Sequence, residues 1–165
     1  MSTDRGPEQA SDQPNVVVMP PLLYAIALLV GIAAQLVVAI RVPVGAGGAG
    51  LRWLVGALLI GGGITVALAF SRAFQRTGQD RNPNTPTPSL ITSGLYQYSR
   101  NPAYVSLTAI QLGLGLLLDN GWILLAAIPV VAIMQWGVIF REEAYLERTF
   151  GDEYRSYKSS VRRWL

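Results

Sequence analysis

Residues 102–118 read PAYVSLTAIQLGLGLLL and residues 122–140 read WILLAAIPVVAIMQWGVIF, with only the three residues 119–121 (DNG) between them. Neither run contains a charged residue. At about 1.5 Å of rise per residue, a helix over either run approaches the roughly 30 Å of a bilayer core. Three residues allow only a tight turn. The pattern therefore predicts a hairpin of two antiparallel transmembrane helices, the second with Pro129 near its middle.

The two ends of this hairpin that lie away from the turn are polar and aromatic. Residues 93–104 read SGLYQYSRNPAY, and residues 141–146 read REEAYL. Asn101 and Pro102 are a favourable N-cap and first-turn pair for the first helix of the hairpin. Because the helices are antiparallel, we expect Pro102 and Phe140 to lie near each other. The two polar stretches should then meet at one membrane surface.

The part of the chain before the hairpin carries two further apolar runs. The helices are therefore expected at about residues 20–40, 53–70, 102–118 and 122–148. A Gly-rich turn over residues 41–52 and a long polar connection over residues 71–93, which holds three prolines, should join them. Residues 1–15 are polar and are predicted to be disordered, which leaves residues 16–165 as a single membrane domain.

The composition supports a membrane protein and excludes several kinds of chemistry. Half of the residues are hydrophobic (51%) and only 14% are charged, whereas about a quarter are charged in soluble domains. The chain has no cysteine and no histidine, which excludes disulfides, thiolate catalysis and zinc–cysteine sites. No metal site is predicted. The net charge of +3 suits a protein beside an anionic lipid leaflet. Nucleic-acid binding is not indicated, because the sequence has no basic run interleaved with aromatic residues.

The distribution of lysine and arginine predicts the orientation in the membrane. Ten of these residues follow the second helix or form the tail: Arg72, Arg76, Arg81, Arg100, Arg141, Arg148, Arg155, Lys158, Arg162 and Arg163. The 119–121 turn has none, and basic residues favour the cytoplasmic side. We therefore expect an all-α integral membrane helical bundle of about four transmembrane helices, with a cytoplasmic C-terminal cap and both termini cytoplasmic.

The first polar stretch places three tyrosines, Tyr96, Tyr98 and Tyr104, around Arg100. An arginine offers a planar fork for a carboxylate or a phosphate, and tyrosine faces can hold a flat ring or a cation. The alternative is structural, namely a helix start with an interfacial arginine and a tyrosine of the aromatic belt.

The second polar stretch contains the pair Glu142-Glu143. Neither glutamate has a basic residue four positions away along a helix, so a solvated helix end held by local ion pairs fits poorly. A carboxylate at the end of a membrane helix needs a partner from elsewhere, such as Arg100, a bound cation or a ligand hydroxyl. Adjacent helical positions point about 100° apart, which predicts different roles for the two glutamates.

The tail continues this pattern with FGDEYRSY over residues 150–157. Gly151 is a candidate for a left-handed helix end. Tyr154 and Tyr157 lie three residues apart and share a helix face. They could form an interfacial amphipathic segment or cover a ligand.

Taken together, GLYxYxRNPxY over residues 94–104 and EExxLxxxFGxxYxxY over residues 142–157 resemble the isoprenylcysteine carboxyl methyltransferase family. That family is grouped with the phospholipid N-methyltransferases. The resemblance covers roughly residues 87–163. It implies an integral-membrane enzyme that uses S-adenosylmethionine, in a bacterial inner (plasma) membrane. The implied acceptor is a lipid or a prenylated or lipophilic small molecule, carrying a carboxylate or an amine, that enters from the bilayer.

The same resemblance implies roles for individual residues. The implied catalytic residues are Arg100 and Glu142. The implied cofactor-binding residues are Tyr96, Asn101, Pro102, Tyr104, Glu142, Glu143, Tyr154 and Tyr157. The chain departs from the family pattern at Asn101, where eukaryotic members have histidine, at Ser106, where glycine is common, and at Trp164, which replaces a proline.

Methyl transfer from a sulfonium is an in-line displacement, so an acceptor needs little activation and the lack of histidine is no obstacle. We hypothesise that Glu142 or Glu143 binds the ribose or the ammonium of the cofactor. Arg100 would then hold an anionic group of the cofactor or of the substrate.

Two other readings remain open at this point. Membrane reductases of the sterol reductase type carry a similar C-terminal pattern and use NADPH, but they are usually much longer. A non-enzymatic membrane scaffold or lipid-binding protein could also keep the fold. The cofactor that shifts the melting temperature would separate these readings.

Overall fold

The computed structural model describes residues 16–43, 48–77 and 89–165. Every regular element over these ranges is helical, which confirms the predicted all-α class. The elements are α1 (Pro20–Val37), α2 (Gly48–Thr77), a 3₁₀ turn (Gly94–Gln97), α3 (Pro102–Leu117), α4 (Gly121–Ile133), a π-helical segment (Met134–Ile139), α5 (Phe140–Phe150) and α6 (Asp152–Ser160).

Three helical stretches are long and apolar enough to cross a membrane, and a fourth is shorter. The long ones are Pro20–Val37, Gly48–Arg72 and Gly121–Phe150, and the shorter apolar helix is Pro102–Leu117. Only a minority of each long stretch is buried inside the bundle, namely 17%, 11% and 33% of their most apolar windows in chain order. Lipid is the natural neighbour of such a surface, so the chain is an integral membrane bundle.

Helix α2 is longer than the apolar pattern predicts. It begins at Gly48, inside the stretch expected to be a turn, and it continues to Thr77, past the expected start of the polar connection at Ser71. Residues 71–77 contain neither glycine nor proline, so nothing stops the helix where the hydropathy falls. Two expectations, a disordered 1–15 tail and an extended proline-rich 78–88 segment, lie outside the described residues.

The last apolar run is one continuous helical stretch from Gly121 to Phe150, but its middle is π-helical over Met134–Ile139. The Phe140 amide donates to the Gln135 carbonyl, five residues back. An inserted residue rotates everything that follows by about 100° relative to an unbroken α-helix. The π segment therefore decides which face of α5 carries Glu142 and Glu143.

Helix α3 lies at the centre of the bundle, with α2 on one side and α1 and α4 on the other. Glycines bring α2 and α3 into direct backbone contact. A Cβ built on Gly113 would lie 2.7 Å from the Gly56 carbonyl oxygen, and one built on Gly63 would lie 2.9 Å from the Ser106 carbonyl oxygen. Small residues allow such close approach of helices in lipid.

The apolar core lies between α1 and α4, where Tyr24, Ala27, Val130, Met134 and Val138 are buried together. The N-terminal end of α1 and the C-terminal part of the chain both reach this core. The Val17 amide donates to the Gly137 carbonyl at 3.3 Å, and Trp164 packs against the same cluster. Both described ends of the chain are thereby held at the end of the bundle where α3 begins.

The opposite end of the bundle is closed around the 119–121 turn. The Asp119 carboxylate accepts a hydrogen bond from the Val42 amide at 2.9 Å and pairs with Arg52 and, at 3.6 Å, with Arg41. The Asn120 side chain accepts from the Ile123 amide at 3.1 Å and so caps α4. Asp119 is therefore paired with both basic residues of this end.

Replacement of Gly113 by alanine tests the contact between α2 and α3. The added methyl group would collide with backbone, so we expect a loss of about 1–3 kcal/mol in stability. Gly62→Ala is the matched control, because a Cβ there meets nothing within 4 Å. The thermal unfolding midpoint in detergent should fall only for Gly113→Ala, and equal midpoints would contradict this packing.

Acidification tests the Asp119 cluster. The hydrogen bond from the Val42 amide, and next the one from Arg52, lower the pKa of Asp119. A lowered folded-state pKa stabilises the protein above the ordinary value of about 4, and the gain is lost as the pH falls through the folded pKa. Asp119→Asn should therefore lower the unfolding midpoint at pH 7, and the difference from wild type should shrink toward pH 3. A difference that stays constant with pH would exclude this role.

Candidate active site

The two polar stretches that flank the hairpin meet, as predicted. The Tyr104 hydroxyl, in the first turn of α3, donates to Glu142 Oε1 of α5 at 2.7 Å. Arg100 Nη2 lies 3.3 Å from Glu143 Oε1. The antiparallel hairpin brings residues about forty positions apart into contact. These contacts lie at the polar ends of the two helices, away from the turn.

Glu143 is held by two arginines from different parts of the chain. Arg163 of the tail donates through Nε to Oε1 at 2.7 Å and through Nη2 to Oε2 at 2.9 Å. Glu143 is 5% exposed, and this hydrogen bonding raises the pKa of Arg163. The Arg163 guanidinium also stacks over the Phe140 ring, 4.6 Å from its centroid. The prediction that the glutamates recruit a distant partner is thus confirmed for Glu143.

The Arg100 guanidinium is only partly satisfied by the protein. Its side chain is 9% exposed, and its Nε and Nη1 atoms have no hydrogen-bond partner among the described residues. A buried donor without a partner costs free energy. One carboxylate also faces two guanidiniums here, which leaves one excess positive charge at this place. Arg100 therefore keeps hydrogen-bond donors that no described residue uses.

Glu142 occupies a different environment, although it is the neighbouring residue. It is partly buried, and its carboxylate forms no ion pair with any residue in the described ranges. Tyr104 is its hydrogen-bond donor. Tyr96 also interacts with Glu142, since burial and next the Glu142 charge raise the pKa of the Tyr96 phenol. Glu142 is therefore a carboxyl group set among tyrosines, without a basic partner among the described residues.

The tail is fixed to the start of α3 through backbone groups. The Arg100 amide donates to the Arg162 carbonyl at 2.9 Å, and the Asn101 side-chain amide donates to the Arg163 carbonyl at 2.9 Å. Asn101 occupies the N-cap position of α3, as expected, but its side chain makes no capping hydrogen bond to that helix. The Ser99 hydroxyl instead accepts from the Asn101 amide at 3.1 Å. Pro102 is buried at the first position of α3.

Helix α6 covers the site with two buried tyrosines. Tyr154 and Tyr157 have ring centroids 6.1 Å apart, and the Tyr157 hydroxyl donates to the Tyr96 carbonyl at 2.8 Å. Burial, and next the Glu143 charge, raise the pKa of Tyr154 to about 12. Tyr98 points away from this cluster and is 74% exposed, so it does not join the tyrosines expected around Arg100.

Arg163 is the residue that sequence reasoning missed. Its tail position, two residues from the last residue of the chain, suggested only an interfacial charge. The usable signal was the absence of a basic helical neighbour for Glu143, which required an arginine or lysine from another segment. Only the fold decides that Arg163 fills this place together with Arg100.

Residues 51–153 match the family model described as phospholipid methyltransferase. This match covers more than half of the chain, and it includes Arg100, Tyr104 and both glutamates. The chain belongs to the phospholipid methyltransferase family. Membership and the apolar helices together indicate a membrane methyltransferase. Over the described residues, no group of three or more His, Cys, Asp or Glu side chains is arranged to hold a metal ion.

Two relatives are similar to part of the chain. An uncharacterized protein of Haemophilus influenzae is 48% identical over 62 residues, which are 38% of this chain and 98% of that protein. The protein-S-isoprenylcysteine O-methyltransferase of Schizosaccharomyces pombe is 36% identical over 76 residues, which are 44% of this chain and 30% of the yeast enzyme. The chain thus spans less than a third of the yeast relative. No solved structure matches the chain.

Gly151 sets the angle between α5 and α6. Its φ of 52° and ψ of −123° favour glycine, and a Cβ there would meet nothing within 4 Å. Gly151→Ala should therefore destabilise the protein through backbone strain alone, by about 1–3 kcal/mol. Thermal unfolding in detergent measures this effect. An unchanged midpoint would show that α5 and α6 tolerate another angle.

Proposed function

We propose that the protein transfers a methyl group from S-adenosylmethionine to a lipophilic acceptor at the cytoplasmic face of a bacterial inner membrane. The observation that carries the proposal is the unequal pairing of the two glutamates. Glu143 is hydrogen-bonded mainly by Arg163, so Arg100 keeps unused donors. Glu142 has no cationic partner among the described residues. One site therefore offers a positive and a negative pole.

A ligand with one carboxylate and one cationic centre fits these poles. The amino-acid part of S-adenosylmethionine carries a carboxylate and an ammonium, and its sulfonium is cationic too. Arg100 would bind the carboxylate, and Glu142 would bind the ammonium or lie beside the sulfonium. Of the two glutamates weighed from the sequence, Glu142 is thus the ligand-binding one. Tyr96, Tyr154 and Tyr157 would cover the ligand from the side of the tail.

S-adenosylmethionine supplies, when bound, a methyl carbon that a nucleophile attacks in line with the carbon–sulfur bond, and the neutral thioether is the leaving group. The contribution of the protein is then mainly positioning and a low-dielectric setting. Arg100 and Glu142 would fix the ligand at two points, which aims the reacting carbon. The buried tyrosines of α6 would exclude water. Tyr104 holds Glu142 in place, and Glu142 could accept the proton that a protonated amine must lose before it attacks.

The distribution of charge supports the proposed orientation. At the turn end, Arg52 and Arg41 both pair with Asp119. The site end carries more basic residues, namely the tail arginines and Arg100, which supports a cytoplasmic position for this end. The described N-terminal residues and the C-terminus lie at this same end, which supports the proposal that both termini face the cytoplasm. Residues 16–165 would then act as one methyltransferase domain, with the acceptor entering from lipid.

Calorimetric titration in detergent with S-adenosylmethionine, S-adenosylhomocysteine and NADPH tests this function. We expect the two adenosyl ligands to bind and NADPH not to bind. Arg100→Gln and Glu142→Gln should each weaken binding by about tenfold or more, because each removes a charge-assisted contact.

Arg148→Gln and Glu153→Gln serve as matched controls, since both side chains are exposed on α5 and α6. Wild-type affinity in both Arg100→Gln and Glu142→Gln would rule out the two-pole site. Binding of NADPH alone would favour the reductase alternative. A folded protein that binds none of the three ligands would favour a scaffold.

A further inference from the structure

We propose that Arg163 is a positioning residue, which acts through Glu143 to keep the Arg100 guanidinium free for the carboxylate of the ligand. This inference rests on the proposed function and assigns a task to a residue outside the predicted site. It starts from the three-membered cluster of Arg100, Glu143 and Arg163, which joins the start of α3, helix α5 and the tail.

The hydrogen bonds of Glu143 are distributed unequally between the two arginines. Arg163 makes a two-pronged contact, with Nε at 2.7 Å from Oε1 and Nη2 at 2.9 Å from Oε2. Arg100 makes a single, longer contact of 3.3 Å from Nη2 to Oε1. A two-pronged arginine–carboxylate pair fixes the plane of the carboxylate. Arg163 therefore decides how Glu143 is presented to Arg100.

Without the Arg163 side chain, Glu143 would have a different best partner. The carboxylate could turn and form the two-pronged pair with Arg100 instead. That pair would consume donors of Arg100 and would leave the cluster neutral. With Arg163 present, the cluster has one excess positive charge, and Arg100 Nε and Nη1 keep no partner among the described residues. The anion-binding capacity of Arg100 thus depends on Arg163.

The tail does not need the Arg163 side chain to stay in place. Its backbone accepts hydrogen bonds from the Arg100 amide, through the Arg162 carbonyl, and from the Asn101 side chain, through the Arg163 carbonyl. The Trp164 indole donates to Gln135 Oε1 at 2.9 Å. Truncation of Arg163 should therefore change the pairing of Glu143 while the tail still covers the site.

A pair of ligands that differ in the amino-acid group, which contains the carboxylate, tests this role. S-adenosylhomocysteine carries the amino-acid group, and 5′-methylthioadenosine lacks it but keeps the adenosine and the thioether. For Arg163→Ala, calorimetry should show about tenfold or greater loss of affinity for S-adenosylhomocysteine and about twofold or smaller change for 5′-methylthioadenosine. Arg163→Lys should restore part of the loss, because it keeps the charge without the fork.

Arg148→Ala is the control, since it also removes one positive charge but lies exposed on α5. It should bind both ligands as the wild type does. Equal losses for the two ligands in Arg163→Ala would overturn the inference, because they would show a general loss of the cover. Unchanged affinity for S-adenosylhomocysteine would overturn it as well.

A second measurement does not depend on any ligand. The ¹⁵Nε–¹Hε NMR signal of Arg100 in detergent, assigned by its loss in Arg100→Lys, should move in Arg163→Ala and stay in Arg148→Ala. An unmoved Arg100 signal would refute the positioning role. If wild type binds neither adenosyl ligand while this signal moves, the proposed function fails and the positioning contact stands.

Discussion

A buried carboxylate must be paired, and in this protein Glu143 is the carboxylate that imposes the condition. Its partners come from the start of α3 and from the tail, so Glu143 is satisfied only when three separate segments meet. Removing one partner from a buried ion pair usually costs several kcal/mol, because a charge is left uncompensated. The pairing of Glu143 therefore links α3, α5 and the tail at this end of the bundle.

The same condition separates the two adjacent glutamates. Both arginines lie at Glu143, whereas Glu142 has a tyrosine and no cation among the described residues. The opposite end of the bundle shows the contrasting case. There Asp119 also meets two arginines, but Arg41 is 81% exposed, so its charge is screened by water. An excess charge in water is screened, whereas a buried one acts strongly on its neighbours.

Much of the fold and part of the site could be predicted from the local pattern. Two uncharged runs with a three-residue turn can only form a hairpin in a membrane, and a hairpin brings its flanks together. This reasoning placed Arg100, Tyr104 and the two glutamates at one end. It failed where hydropathy and helix formation differ. Helix α2 runs past the apolar segment to Thr77. Hydropathy indicates which residues lie in lipid, and it does not indicate where a helix ends.

The sequence by itself determined the helical hairpin, the all-α membrane class and the need of the glutamates for distant partners, because these follow from runs of like residues along the chain. Only the tertiary structure decided which arginine serves which carboxylate. The π-helical turn at Met134–Ile139 rotates α5, and the backbone contacts of the tail bring Arg163 to Glu143 rather than to Glu142. Such pairings depend on distances of a few ångströms between segments far apart in the chain, and no local pattern encodes them.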